Sequence, residues 1–139
     1  MKRLGIAGLG LLTIFMLALA SRAPRPIRFA RSVTELPVAR TTEVASWQEH
    51  WSEFLPDGRI VAVYQLAPTE FSELENAASD AGWEDLARWT PDVRISDFDE
   101  LVSAATPGMV LDVAEGATRH TMAALLPETS QLVVVYVVW

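Results

Sequence analysis

Residues 132–139, LVVVYVVW, constrain the fold more than any other segment of the chain. β-Branched and aromatic side chains favour a β-strand because they pack well on a pleated surface. This segment has no polar face. A strand that is apolar on both faces lies in the middle of a covered sheet or contacts a partner. The sequence therefore predicts such a strand over residues 132–138.

Three further segments predict strands that pair with it. Residues 59–66 (RIVAVYQL) are rich in β-formers and follow a Pro56-Asp57-Gly58 turn. Residues 109–114 and 118–126 flank Glu115-Gly116, which is short enough for a tight hairpin. Residues 127–131 allow a looser hairpin into the last strand.

Apolar spacing predicts three helices. The first covers residues 43–55, where four side chains recur at three- and four-residue steps: Val44, Trp47, Trp51 and Phe54. The second begins near Pro68 and ends at Gly82, which takes the left-handed conformation. Trp83 then packs back against the helix. The third is short and starts at Ser96, with Asp99 completing a capping box. We therefore expect an α+β domain with a mainly antiparallel sheet of about four strands and two to three helices.

The N-terminus is typical of an export signal or a membrane anchor. Residues 4–20 are uncharged and span about 25 Å as a helix. The tripeptide at 18–20 (ALA) suits signal-peptidase cleavage, whereas four arginines after it suit the interfacial end of an anchor: Arg22, Arg25, Arg28 and Arg31. We favour an uncleaved transmembrane helix over a signal helix. The expected segments are an anchor or signal (1–21), an extended basic linker (22–41) and an acidic domain (42–139).

Charge is divided unevenly along the chain. Residues 21–40 hold five arginines and one acid, whereas residues 41–139 hold four arginines and seventeen acids. An acidic domain repels a phosphate backbone, which argues against nucleic-acid binding. The basic segment suits anionic lipid head groups.

The common catalytic and cofactor motifs are absent from the sequence. The chain has no cysteine, no G-x-S-x-G elbow and no S-x-x-K motif, and it has no glycine-rich phosphate loop. His50 and Glu53, three residues apart on the predicted first helix, are too few for a metal site. Capping of helix starts explains the paired acids, namely Glu84/Asp85 and Asp97/Asp99/Glu100. We predict a protein that is not an enzyme and carries no cofactor or metal.

The expected hairpin register assigns a role to His120. A two-residue turn at Glu115-Gly116 pairs Asp112 with Arg119 and Leu111 with His120. His120 would then share a core face with Leu111 and Met122, as a buried structural histidine. Asp112 and Arg119 would form a cross-strand ion pair.

Five tryptophans are many for so small a core. Packing of the first helix explains Trp47 and Trp51, but an interfacial belt or a partner contact would also use them. The partner-contact candidates are Trp47, Trp51 and Trp139.

These features predict a non-catalytic accessory or binding subunit of a larger membrane assembly. Its domain would lie on the periplasmic side of a bacterial cytoplasmic membrane, with the N-terminus inside. The alternative is a cleaved periplasmic domain that binds or hydrolyses a small molecule. That alternative predicts a polar-lined pocket near His120 or Asp112.

The intact mass of the protein from its native host distinguishes the two. We expect the mass of the full chain, because the arginines after Ala20 favour retention of the apolar segment. A mature N-terminus at Ser21 would instead support the cleaved domain.

Overall fold

A computed structural model describes residues 22–102 and 107–139. The anchor or signal helix predicted over residues 1–21 lies outside this part of the chain. Of the helices in the described ranges, none has the length and hydropathy needed to cross a bilayer.

The described residues form three helices and six strands. The helices are α1 (Arg25–Thr34), α2 (Pro68–Asp80) and α3 (Ser96–Leu101). The strands are β1 (Glu43–Trp51), β2 (Gly58–Gln65), β3 (Glu84–Asp85), β4 (Met109–Glu115), β5 (Arg119–Leu126) and β6 (Gln131–Val138). They make one antiparallel sheet in the order β1-β2-β6-β5-β4-β3. The expected fold class, with about four strands and an N-terminal membrane or signal helix, is therefore wrong for this part of the chain.

Strand β6 lies at the centre of the sheet, between β2 and β5. Leu132 and Val134 point to one face, Val133 and Val135 point to the other, and all four are almost fully buried. The prediction of a central, covered strand is confirmed. Because both faces of β6 are apolar, the sheet must be covered on both sides.

Two apolar clusters cover the sheet. On one face, helices α1 and α2 pack against β2, β5 and β6 through Ile27, Ala30, Phe71, Leu74 and Ala78. On the other face, the cover consists of α3 and the segment before it, through Leu86, Ile95, Phe98 and Val102. The domain therefore has three layers, with the sheet in the middle.

The helix predicted over residues 43–55 is wrong, because these residues begin with strand β1. A bulge between Val44 and Ser46 interrupts the pairing of β1 with β2. The extra residue places Val44 and Trp47 against the same cluster although they are three residues apart. Trp47 and Trp51 are four apart, a step that returns to the same face in a strand as well as in a helix. The bulge thus reproduced a helical spacing within a strand.

The extended linker predicted over residues 22–41 contains helix α1 instead. Pro26 lies in the first turn of α1, where its missing N–H costs no hydrogen bond. Ile27, Ala30 and Thr34 are buried at helical spacing against the sheet. The hydroxyl of Tyr64 in β2 donates to the carbonyl oxygen of Pro26 at 2.6 Å, and burial raises the pKa of this phenol.

Helix α2 follows its predicted course. Phe71, Leu74 and Ala78 are buried, Gly82 has a φ of +82°, and the amide of Trp83 donates to the carbonyl of Ala78 at 3.0 Å. Helix α3 also lies where it was expected, but without the predicted capping box: Ile95 is its N-cap, and no side-chain hydrogen bond caps it.

Glu49 links α1 to β1. Its Oε1 accepts hydrogen bonds from Arg25 Nη2 at 2.6 Å and from Trp51 Nε1 at 2.7 Å. The bond from Trp51, and next the bond and charge of Arg25, hold the pKa of Glu49 below its ordinary value of 4.5. The basic segment is thereby joined to the acidic domain.

A Glu49→Gln substitution tests this link through pH. A carboxylate whose pKa is lower in the folded state stabilises the fold above its unfolded pKa, and this stabilisation is lost as the pH falls through the folded pKa. Chemical denaturation should show the variant less stable than the wild type at neutral pH, with a difference that shrinks below pH 4.5. The control is Glu53→Gln, an exposed acid beyond β1. A difference that acidification leaves unchanged would contradict the link.

Candidate functional site

The register of the β4–β5 hairpin differs from the predicted one. Glu115 pairs with Arg119, so residues 116–118 form a three-residue turn in which Gly116 has a φ of +67°. Ala114 pairs with His120, and Asp112 pairs with Met122. The predicted pairs Asp112–Arg119 and Leu111–His120 are therefore wrong, because a shift by an odd number of residues changes which side chains share a face.

The observed register brings Asp112 and His120 together. Their side chains share one face of the sheet, and Asp112 Oδ1 lies 2.5 Å from His120 Nε2. An ionised carboxylate only accepts hydrogen bonds, so Nε2 carries the shared proton. His120 is 5% exposed and shares its face with Met122, so the prediction of a buried histidine is confirmed, whereas the expected neighbour Leu111 packs on the opposite face.

The second oxygen of Asp112 holds Trp89. Trp89 Nε1 donates to Asp112 Oδ2 at 2.9 Å, and its ring meets Phe98 edge-on at 5.5 Å between centroids. The turn before Trp89 depends on Asp85, whose main-chain oxygen accepts from Trp89 N and whose Oδ1 accepts from Ala87 N. Glu84 and Asp85 form strand β3 rather than the predicted helix start.

Trp139 covers the imidazole ring of His120. Its ring stacks on the imidazole with an interplanar angle of 22° and 6.2 Å between centroids. Its amide donates to the carbonyl of Thr118 in the hairpin turn at 3.0 Å, which fixes the residue just beyond β6. The indole is still 50% exposed. Trp139, which the sequence suggested as a partner-contact residue, therefore forms one wall of this site.

A cavity of about 530 Å³ opens beside these side chains. We call it the Asp112–His120 cavity. Trp89, Trp139 and Val93 supply its apolar surface, and small residues of the hairpin leave it open: Ala114, Gly116 and Ala117. The polar pocket that the cleaved-domain alternative predicts near His120 or Asp112 is present, and both residues line it.

Charged and polar side chains surround the mouth of the cavity. Glu84, Asp92 and Arg119 are exposed and line it, together with Thr90. Arg119 forms no ion pair with a carboxylate of the described residues, so its charge is available to a ligand. The mouth of the cavity therefore carries both signs of charge. At its base, Asp112 and His120 are already hydrogen-bonded to each other.

The other predicted site residues lie elsewhere. Arg22 and Arg28 are exposed, Arg25 pairs with Glu49 and lies 5.9 Å from the centroid of the Trp47 ring, and Arg31 Nε donates to the carbonyl of Val38 at 2.7 Å. Trp47 is half-buried against Phe29, which supports the packing explanation for this residue.

The positions of the histidines and acids give no support for a metal site in the described part of the chain. Within residues 22–102 and 107–139, no three histidine or acidic side chains converge in a way that could hold a metal ion. His50 is exposed on β1, and Glu53 lies beyond the end of this strand.

Comparisons with protein-family models, with curated proteins and with solved structures find no significant match to this chain. The function of the cavity must therefore be inferred from its own residues.

Asp112 accepts from two donors, so we expect its replacement to destabilise the fold. An Asp112→Ala variant leaves the N–H groups of Trp89 and His120 without their acceptor, at a cost of about 1–3 kcal/mol. Chemical denaturation of the full chain, followed by tryptophan fluorescence, measures this. Asp92→Ala on the rim is the matched control and should change the free energy of unfolding by less than about 0.5 kcal/mol. Equal stability of the two variants would show that the Asp112 contacts contribute nothing.

Proposed function

We propose that this domain binds a small molecule in the Asp112–His120 cavity. The observation that supports it best is the combination, in about 530 Å³, of an aromatic wall with a hydrogen-bonded Asp–His floor. Small-molecule sites typically occupy 300–1,000 Å³, with mostly apolar linings and a few placed polar groups. The volume of this cavity falls within that range, whereas its lining is more polar than in a typical site, because charged and polar side chains stand beside Trp89, Val93 and Trp139.

The side chains indicate what the ligand must offer. Asp112 engages Nε2 of His120, so a ligand that hydrogen-bonds the imidazole uses Nδ1. The exposed part of Trp139 suits a flat or apolar group, and Arg119 suits a negatively charged group or an acceptor. The proposed ligand is therefore a small molecule with a flat or apolar portion and at least one hydrogen-bond acceptor.

Binding is a better proposal than hydrolysis. A histidine held by an aspartate can serve as a general base, but acyl transfer also needs a nucleophile beside it. Among the described residues, the cavity lining contains one hydroxyl side chain, that of Thr90, while the imidazole bonds to Asp112. The location outside a bacterial cytoplasmic membrane and the role as a subunit of an assembly stay predictions from the sequence.

Screening of a fragment library by NMR tests the proposal. We expect hits to shift the indole N–H signals of Trp89 and Trp139 more than those of the other three tryptophans. His120→Ala and Trp139→Ala should each weaken binding at least about tenfold, the effect of losing roughly 1.4 kcal/mol of contact energy.

Two control variants are matched to these changes. His50→Ala removes the other histidine, which is exposed on β1, and Trp51→Ala removes an indole that is 43% exposed. Both should bind the fragments as the wild type does. Fragments that bind all four variants equally, or that shift only signals away from the cavity, would refute the proposal. Turnover of an ester probe that is lost in His120→Ala would favour hydrolysis instead.

A further inference from the structure

The loop between β1 and β2 carries a second unusual surface. Trp51, Phe54 and Leu55 are 43%, 91% and 64% exposed, and we call these three residues the apolar tip. They lie within five residues of the chain at one end of the sheet, where β1 and β2 meet at the Trp51–Gly58 pair. Large apolar side chains exposed together mark a contact surface more often than scattered ones do.

Hydrogen bonds and close packing fix the conformation at the base of the apolar tip. The amide of Ser52 donates to the carbonyl of Asp57 at 2.9 Å, which closes the loop. Trp51 Nε1 is held by Glu49, and the Trp51 ring lies so close over Gly58 that a side chain at Gly58 would collide with it. The loop therefore presents Phe54 and Leu55 outward from a fixed base.

The tip lies beside the start of α1. Arg25, in the first turn of α1, contacts Trp47 and Glu49, and Glu49 in turn holds Trp51. Arg22 is three residues earlier and thus within about 10 Å of Arg25. The uncharged run of residues 4–20 ends just before Arg22. A lipid bilayer that takes up residues 4–20 would therefore lie within reach of the apolar tip.

The exposed area of the apolar tip distinguishes a protein partner from a lipid bilayer. At exposures of 43%, 91% and 64%, Trp51, Phe54 and Leu55 together expose roughly 400 Å², since a whole aromatic side chain accounts for about 150–250 Å². A stable protein–protein interface buries about 800 Å² on each partner, with a wider polar rim. Three protruding side chains are instead enough to enter the interfacial layer of a bilayer, where tryptophan in particular is enriched.

We propose that the apolar tip inserts into the interfacial layer of a lipid bilayer. Trp51 would lie at head-group depth, with Phe54 and Leu55 deeper. Glu53 and Asp57 flank the tip, so apolar contact rather than attraction to anionic lipid provides the binding. Trp139 follows Val138, which pairs with Gly58, so it lies at the same end of the sheet.

The absence of cysteine from the chain allows a direct test. Phe54→Cys and Glu128→Cys each accept one spin label; Glu128 is exposed in the loop between β5 and β6, at the opposite end of the sheet. The full chain is reconstituted with vesicles of phosphatidylcholine, alone and mixed with phosphatidylglycerol. Electron paramagnetic resonance then compares collisions of each label with oxygen, which enters lipid, and with a water-soluble nickel complex.

We expect the ratio of oxygen to nickel accessibility to be several-fold higher at residue 54 than at residue 128, and similar in both lipid mixtures. Equal ratios would overturn the proposal, whether or not the rest of the chain binds the vesicles. Spin–spin broadening at residue 54 without lipid depth would assign the tip to a second copy of the chain and would also overturn it. Circular dichroism of both labelled variants confirms that these exposed substitutions leave the fold intact.

Discussion

Burial of both faces of β6 is the constraint on which the rest of the structure depends. A fully buried valine or leucine stabilises the fold by about 1.5–3 kcal/mol, and β6 has four such side chains divided between the two faces. Leaving either face open would forfeit several kcal/mol. Helix α1 is needed for that cover, and its fully buried Ile27 contributes more to stability than a solvent-exposed ion pair such as Arg25–Glu49. Helix α1 therefore packs onto the sheet in spite of its three arginines.

Elements whose signals are local could be predicted from the sequence. The apolar run of β6, the Gly82 exit of α2 and the β-formers of β2 each carry their cause within a few residues. The signals for α1 were also present, because Ile27, Ala30 and Thr34 have helical spacing. Pro24 and Pro26 conceal this signal, because proline usually breaks a helix, although proline in the first turn is compatible with one. β1 could not be recognised by periodicity, because a bulge changes the period of a strand.

The candidate site depends on long-range geometry that periodicity does not carry. One additional residue in the β4–β5 turn decides whether His120 faces Leu111 or Asp112, and sequence alone does not set the length of that turn. Trp89 reaches Asp112 from 23 residues earlier in the chain, through a turn that Asp85 organises. The sequence could indicate His120 and Asp112 as candidates, but their partnership and their aromatic walls follow from tertiary structure.

The positions of the cavity and the apolar tip have a common cause. The two apolar clusters fill both faces of the sheet, so exposed aromatic and charged groups collect where the strands end and their pairing stops. Antiparallel pairing brings the β1–β2 loop, the β4–β5 turn and Trp139 to one end of the sheet. Trp139 covers His120 with one part of its ring and exposes the rest. The indole that covers His120 therefore also borders open solvent, at the end of the sheet where the apolar tip lies.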